Sequence, residues 1–358
     1  MVEHRYSDLF LSAREALRPT QGENAANCAR ELLAAAAGKT TAEIIASRDI
    51  YAPADVAEAL SGMLARMQRD EPLAYVLGEW DFAGMTLEVT PEVLIPRDDT
   101  MAVTELALAC AGQLPDHPRI LDLCAGSGCI GLAIAQRIPD AHVILGDISP
   151  GALRVARKNI GKQKLQSRVT AMALDATRPA MRFIGKFHLI VSNPPYIPSG
   201  QIPTLDRSVR EYEPQLALDG GADGLAFYRS IVACYTHALE PGGSLCLEFG
   251  LLLFTGFQEW QSLGIFCHHD ITHMLGKTLD KNASVETFVE NIVQQHHHLA
   301  HFVGESEVNQ VEIVVAIQNV QVLDYLFISD VALTETGSLI KDRECIAHTA
   351  IGFFCDDG

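Results

Sequence analysis

The sequence contains no Cys-x-x-Cys pair, no excess of basic residues and no apolar run of membrane-spanning length. Its nine cysteines are odd in number and scattered, which argues against a disulfide framework and a thiolate zinc site and suits a reducing cytoplasm. With 45 acidic against 27 basic residues and a formal net charge of −18, tight nonspecific adhesion to nucleic acid phosphates is excluded, because that binding is driven by cationic side chains displacing counterions. Nowhere do the roughly 18 apolar residues of a membrane helix run together, and Met1 to Asp8 carry charge ahead of amphipathic sequence. The expectation is a chain without signal peptide or membrane span.

One further absence is local. Residues 251–358 hold none of the 16 prolines and only 4 Lys+Arg against 15 Asp+Glu, yet 8 of the 13 histidines. So abrupt a shift marks a boundary, and the tail reads as foreign to the rest: a frameshift, a gene-model error or a fusion. His269/His273 and His297/His301 are each spaced four apart and would share a helix face, a possible metal pair. No carboxylate or thiolate completes a set, and the expectation is no metal.

What is present is ordinary for a globular chain. Hydrophobic residues make up 48% and charged residues 20% of 358, enough for a large core and long enough for two or three units. From Tyr6 to about Asp70, apolar residues recur at three- and four-residue intervals, as in Asn24 to Ala37 and Pro53 to Met67, predicting a small bundle of short helices. Glu79 to Phe82 and Met85 to Val89 read as two strands about the turn Ala83-Gly84. Beyond Ile95 the rhythm becomes strand, loop, helix. Arg119 to Leu123, His142 to Gly146, Val169 to Leu174, Phe187 to Ser192 and Gly243 to Phe249 are strand-length apolar runs separated by helical stretches such as Gly131 to Arg137 and Gly151 to Ile160. This is the pattern of an α/β, doubly wound, Rossmann-like parallel sheet, whose ligands bind at the carboxyl ends of the strands.

Four strand ends carry candidate chemistry. After the first comes Asp122-Leu-Cys124-Ala125-Gly126-Ser127-Gly128, where small residues allow a tight turn and close approach of backbone to a ligand. A dinucleotide site or a plain turn would use the same residues. The second ends at Asp147, whose carboxylate can accept from both hydroxyls of a ribose, or can cap a helix. The third ends in Asp175-Ala176, placed to line an adenine pocket. The fourth ends in Asn193-Pro194-Pro195-Tyr196, and this loop separates a methyl donor from a dinucleotide. A planar amide nitrogen is a poor nucleophile and must be desolvated, oriented and aimed at the departing sulfur. Asn193 can supply a side-chain carbonyl and Pro194 a main-chain carbonyl to an NH2 group, proline stiffness fixes both, and Tyr196 offers a flat stacking face.

Over roughly residues 5–250 the sequence resembles the bacterial protein-glutamine N5-methyltransferases that modify class-1 peptide-chain release factors. The stretches that carry the likeness are Arg69-Asp-Glu-Pro-Leu-Ala-Tyr-Val-Leu-Gly78, Pro91-Glu-Val-Leu-Ile-Pro-Arg97-Asp-Asp-Thr100, the glycine loop and Asn193 to Tyr196. The resemblance implies S-adenosylmethionine as cofactor, contacted by Cys124, Ala125, Gly126, Ser127, Gly128, Asp147, Ala176 and Asn193. It implies that Asn193, Pro194, Pro195 and Tyr196 hold the substrate glutamine of a Gly-Gly-Gln loop, with Asn193, Pro194 and Tyr196 as the catalytic set. Where the family carries an acid after Pro-Arg-x-x-Thr, Met101 stands here, so that contact is absent or moves to Glu105. The likeness ends at Gly250, where the family would continue with a helix and a final antiparallel strand pair; Val311 to Ile317 and Val320 to Ile328 are candidate replacement strands.

The expected organisation is a helical bundle for release-factor recognition over residues 1–78, a β-hairpin linker over 79–94, a methyltransferase domain over 95–250 and an atypical tail over 251–358. The expected product is N5-methylglutamine, made by a monomer in the cytoplasm whose partner is a class-1 release factor rather than nucleic acid or membrane. No side chain is an obvious strong base, so proton loss is expected to follow transfer. Three rivals stand beside this reading. A DNA adenine methyltransferase would apply the same loop to a flipped base but needs a basic groove; a ribosomal-protein glutamine methyltransferase would differ in the bundle; and an altered tail could leave a silent release-factor-binding protein.

Overall fold

A computed structural model of the chain describes residues 4–111, 114–249 and 311–317. Five helices come first: α1 (Tyr6–Gln21), α2 (Ala25–Ala37), α3 (Thr41–Ala46), α4 (Ala54–Met67) and α5 (Leu73–Leu77). The predicted periodicity is met side chain by side chain, since Tyr6, Leu9, Ala13 and Leu17 of α1 pack with Cys28, Ala29, Leu32 and Leu33 of α2 and with Val56, Leu60 and Met67 of α4. Gly38 ends α2 with φ +60, a left-handed conformation that glycine adopts without Cβ strain. Thr40 then caps α3 in a reciprocal box, its hydroxyl accepting from Glu43 N while the Glu43 carboxylate accepts from Thr40 N.

Strands β1 (Glu79–Phe82) and β2 (Met85–Glu88) form the antiparallel hairpin. Phe82, Met85 and Leu87 are buried in the same core as Val103 and Leu106 of α6 (Thr100–Ala111). The hairpin is thus built into the core beside α6 as well as leading to it. Beyond α6 come β3 (Arg119–Leu123), α7 (Cys129–Arg137), β4 (His142–Asp147), α8 (Pro150–Lys162), β5 (Val169–Ala173), β6 (Phe187–Ser192), α9 (Arg207–Arg210), α10 (Ala226–Tyr235), β7 (Leu239–Phe249) and β8 (Val311–Ile317).

The six strands from β3 onward lie in the order β5-β4-β3-β6-β7-β8, every neighbouring pair parallel. Period-two alternation splits their side chains between two cores. Ile120, Val143, Leu145, Leu189, Val191 and Cys246 face the core that holds the α6 and α7 residues. Leu121, Leu123, Ile190, Leu245 and Leu247 face Tyr228, Ile231 and Tyr235 of α10. The edge differs from the antiparallel pair that the resemblance implied: β8 runs parallel to β7, from Gly243↔Val311 to Phe249↔Ile317. A Val/Ile-rich segment can satisfy the open row of backbone groups that β7 presents. The second candidate strand, Val320 to Ile328, and the histidines of the tail lie outside the described residues.

Candidate active site

Strand order reverses between β3 and β6, which are adjacent and parallel although β4 and β5 intervene in the chain. Connections leave opposite faces at such a point and open a crevice at the carboxyl ends of the strands. The glycine loop follows β3 and Asn193 follows β6, so the two sequence motifs flank that crevice. Ser192 Oγ donates to Leu123 O at 2.6 Å and joins their roots.

On the β3 side the loop is held by two acids. Asp122, at the end of β3 and 1% exposed, accepts from Gly131 N at 2.8 Å through Oδ2. Its other oxygen has no hydrogen-bond partner, among the described residues. Burial pushes its carboxyl up to about 7, opposed by the Gly131 bond and helped by the charge of Asp147. Asp147 accepts from Gly126 N at 2.9 Å and from Ser149 N at 2.8 Å; burial raises its carboxyl as well. Each bonded oxygen keeps a second lone pair for a hydroxyl. Cys124 turns the chain with φ +60, and Gly126 and Gly128 follow at φ +55 and +84. A Cβ on Gly128 would lie 2.7 Å from Leu145 Cδ1. Ala125 N donates to Gly146 O at 3.0 Å.

Asp175 closes the rim beyond β5, where its carboxylate takes Thr177 Oγ1 and N at 2.6 and 2.9 Å and Arg178 at 3.2 Å. The Thr177 bonds hold it below the usual carboxylate range. Ala176 follows, 5% exposed. The Cys124 thiol, pushed well up by burial, also feels the charges of Asp147, Asp122 and Asp175. A rim with the carboxylates of Asp147 and Asp175, and the Asp122 carboxyl buried beneath, disfavours a pyrophosphate and suits a ligand carrying positive charge.

On the β6 side, Pro194 and Pro195 are buried and Asn193 and Tyr196 half-buried. Asn193 Nδ2 donates to Thr100 Oγ1 at 3.3 Å, which leaves the side-chain carbonyl as its other, accepting end. Among the described residues no donor reaches the Pro194 carbonyl. Behind the loop runs the segment from Leu218 to Gly221. Ile197 N donates to Leu218 O, Gly220 N to Ile197 O and Ser199 N to Gly221 O, all within 2.8–2.9 Å. A Cβ on Gly220 would lie 2.7 Å from Tyr196 Cα, so glycine is what lets the two backbones meet.

Sequence reasoning missed three supports of this site. Asn159 of α8, 0% exposed, donates to Ser127 O and Glu88 O at 3.0 Å and accepts from Glu88 N at 2.7 Å, tying the glycine loop to the hairpin. Its signal was a polar residue on the apolar stripe of α8. Glu213, 5% exposed, pairs with Arg97 and accepts from Ile95 N. Burial raises its carboxyl while Arg97 opposes the rise. Gly220 is the third. Glu105 does not replace the acid missing at Met101: it faces Arg137 at 3.7 Å, at the end of α7 remote from the glycine loop. Met101 itself packs on the core. Among the described residues no three metal-ligating side chains cluster.

Two family models match the chain, the PrmC N-terminal domain over residues 8–78 and the methyltransferase small domain over residues 103–216. Curated relatives match over most of their own length. A release factor glutamine methyltransferase of Geobacter sulfurreducens is 42% identical over 231 residues, 64% of this chain and 78% of the relative. Proteins of the same description from Bradyrhizobium diazoefficiens and Clostridium acetobutylicum are 40% and 33% identical, covering 67% and 69% of this chain and 80% and 86% of theirs.

Proposed function

This chain belongs to the family of release factor glutamine methyltransferases, and from that premise we propose that it transfers a methyl group from S-adenosylmethionine to the N5 amide nitrogen of the glutamine in the Gly-Gly-Gln motif of class-1 peptide-chain release factors. The donor supplies a methyl group already activated by the positive charge on its sulfur. This chain's residues hold, orient and desolvate. Cys124, Ala125, Gly126, Ser127 and Gly128 cradle the donor with their backbone, Asp147 accepts from its ribose hydroxyls, and Ala176 borders its adenine. The Asp147 and Asp175 carboxylates suit a cationic donor.

Asn193 Oδ1 and Pro194 O accept from the two hydrogens of the substrate amide, and Tyr196 stacks on its plane. Both acceptors strengthen as positive charge develops on nitrogen, so they stabilise the transition state more than the ground state. The bundle over residues 1–78 recognises the protein substrate, and the enzyme acts as a monomer in the cytoplasm, without nucleic acid. No helix among the described residues is long and apolar enough to cross a membrane.

The observation that carries this reading is the meeting, at one switch point, of an acid-lined glycine loop and an Asn-Pro-Pro-Tyr loop with two carbonyls that no donor among the described residues claims. Labelled donor incubated with purified release factor should label the protein, and replacing the acceptor glutamine should abolish labelling. Asn193→Ala should slow single-turnover transfer by about 100-fold, the effect typical of losing one preorganised transition-state contact. Equal labelling of both substrates, or an undiminished rate in Asn193→Ala, would overturn it.

A further inference from the structure

The stretch from Pro91 to Thr100 marks the family but reads as chemically mute, a threonine and two aspartates ahead of a helix. The fold gives its last residue a partner. Thr100 opens α6, 93 residues before Asn193, and is 2% exposed. Its main chain is fully engaged: Thr100 N donates to Arg97 O at 3.1 Å, and Thr100 O accepts from Thr104 Oγ1 at 2.8 Å. The hydroxyl remains, and it takes the Asn193 amide at 3.3 Å.

A primary amide has two ends of nearly equal shape and opposite function, since NH2 only donates and the oxygen only accepts. The acceptor role requires Oδ1 to face the substrate nitrogen. That orientation turns Nδ2 into the protein, where an unpaired donor is expensive. Thr100 Oγ1 supplies the missing acceptor. Without it the productive orientation leaves Nδ2 unsatisfied, and the reverse orientation would set two NH2 groups against each other.

Building on the reading that Asn193 holds the acceptor, we propose that Thr100 is a positioning residue for methyl transfer, its hydroxyl accepting from the Asn193 amide and thereby aiming Asn193 Oδ1 at the reacting nitrogen. Arg97, three residues earlier, pairs with Glu213, which stands five residues before the segment from Leu218 to Gly221 that backs the acceptor loop. The stretch therefore works as a clamp on the acceptor side.

The test compares Thr100→Val, which keeps the shape and removes the hydroxyl, with Thr100→Ser, which keeps the hydroxyl. Single-turnover transfer to release factor should fall about tenfold in the valine variant, the equivalent of one hydrogen bond. The serine variant should hold the parental rate, and calorimetric affinity for S-adenosylmethionine should be unchanged in both. In an Asn193→Ala background the valine substitution should add no further loss, because the group it positions is gone. Thr100→Ala replaces the valine variant if the latter does not fold. A valine or alanine variant as fast as the parent, a serine variant as slow as valine, or additive losses would overturn the proposal. If Asn193→Ala itself keeps the parental rate, it is the acceptor reading that fails; if Asn193→Ala is slow and Thr100→Val is not, only the role of Thr100 falls.

Discussion

On the donor side of the crevice the two acids are tied to backbone close by in the chain, whereas on the acceptor side the side-chain partners of Asn193 and Arg97 come from far along it. Gly131 reaches Asp122 across nine residues and Gly126 reaches Asp147 across 21. Thr100 reaches Asn193 across 93, Arg97 reaches Glu213 across 116, and Arg207 reaches Asp70 across 137. Tyr212 also donates to Arg69 O at 2.7 Å, so the segment that backs the acceptor loop is fastened to the end of the bundle. The donor acids are thus fixed by the sheet and its turns, with Asn159 adding one long tie to the hairpin, while the acceptor loop depends more on the docking of separate parts. Substitutions on the two sides should therefore separate donor affinity from transfer rate.

The largest expected effect is on stability and lies on the donor side. The Asp122 carboxyl rises from 3.8 in the reference state to about 7 in the fold. Between those values the folded protein binds more protons than the unfolded chain, so this group's contribution falls as pH rises, by about 1.4 kcal/mol per pH unit. Below the window both states are protonated and nothing is lost; above it the full penalty of a buried charge remains. Asp122→Asn should remove that slope. Urea unfolding of the two proteins from pH 4 to 8 should show a difference that widens with pH, and parallel curves would mean that Asp122 is not the buried acid described.

Next in size is Gly220→Ala on the acceptor side. A Cβ 2.7 Å from Tyr196 Cα meets backbone that cannot swing aside, and a displacement of the acceptor loop by about 1 Å costs on the order of 100-fold in rate. Single-turnover transfer should fall by that factor while donor affinity stays parental. Matching losses in both quantities would break the distinction between the two sides. Asn159→Leu should do the reverse at smaller size, because it leaves Ser127 O without its partner. The expected result is about tenfold weaker donor binding, with the KM for release factor unchanged.

The same contrast explains what could be read from sequence. Strands β3 and β6 were legible to the residue, as Arg119 to Leu123 and Phe187 to Ser192, because apolar runs and flanking turn residues are local signals. The positions of the glycine loop and of Asn193 to Tyr196 at the ends of those strands were legible for the same reason. Even Val311–Ile317 was legible as a strand, though its parallel direction was not, since direction belongs to the pairing. Thr100, Glu213 and Gly220 were not legible, because a threonine, a glutamate and a glycine acquire their roles only from a partner tens of residues away. Glu105 was misjudged on similar grounds. One turn beyond Met101 it shares a helix face, but the docking of α6 on α7 sets that part of the face against Arg137.

The smallest effect expected sharpens the comparison most. Arg207 bridges Asp70 at 3.1 Å and Glu211 at 2.9 Å, yet its side chain is 56% exposed. Arg97 and Glu213 join the stretch before α6 to that same segment, with the Glu213 side chain 1% exposed. An exposed pair is screened by water and salt and contributes little. A buried carboxylate left without its cation is far more damaging, about 3–5 kcal/mol. Arg207→Gln should therefore leave the transfer rate within about twofold of parental, with little dependence on salt. The bundle stays fastened through Tyr212 and through the stretch that Arg97 and Glu213 pin. Were Arg207→Gln instead to slow transfer tenfold and salt to reproduce the loss in the parent, the alignment of the acceptor loop would run through the surface, and the acceptor side would be held by charge rather than by packing.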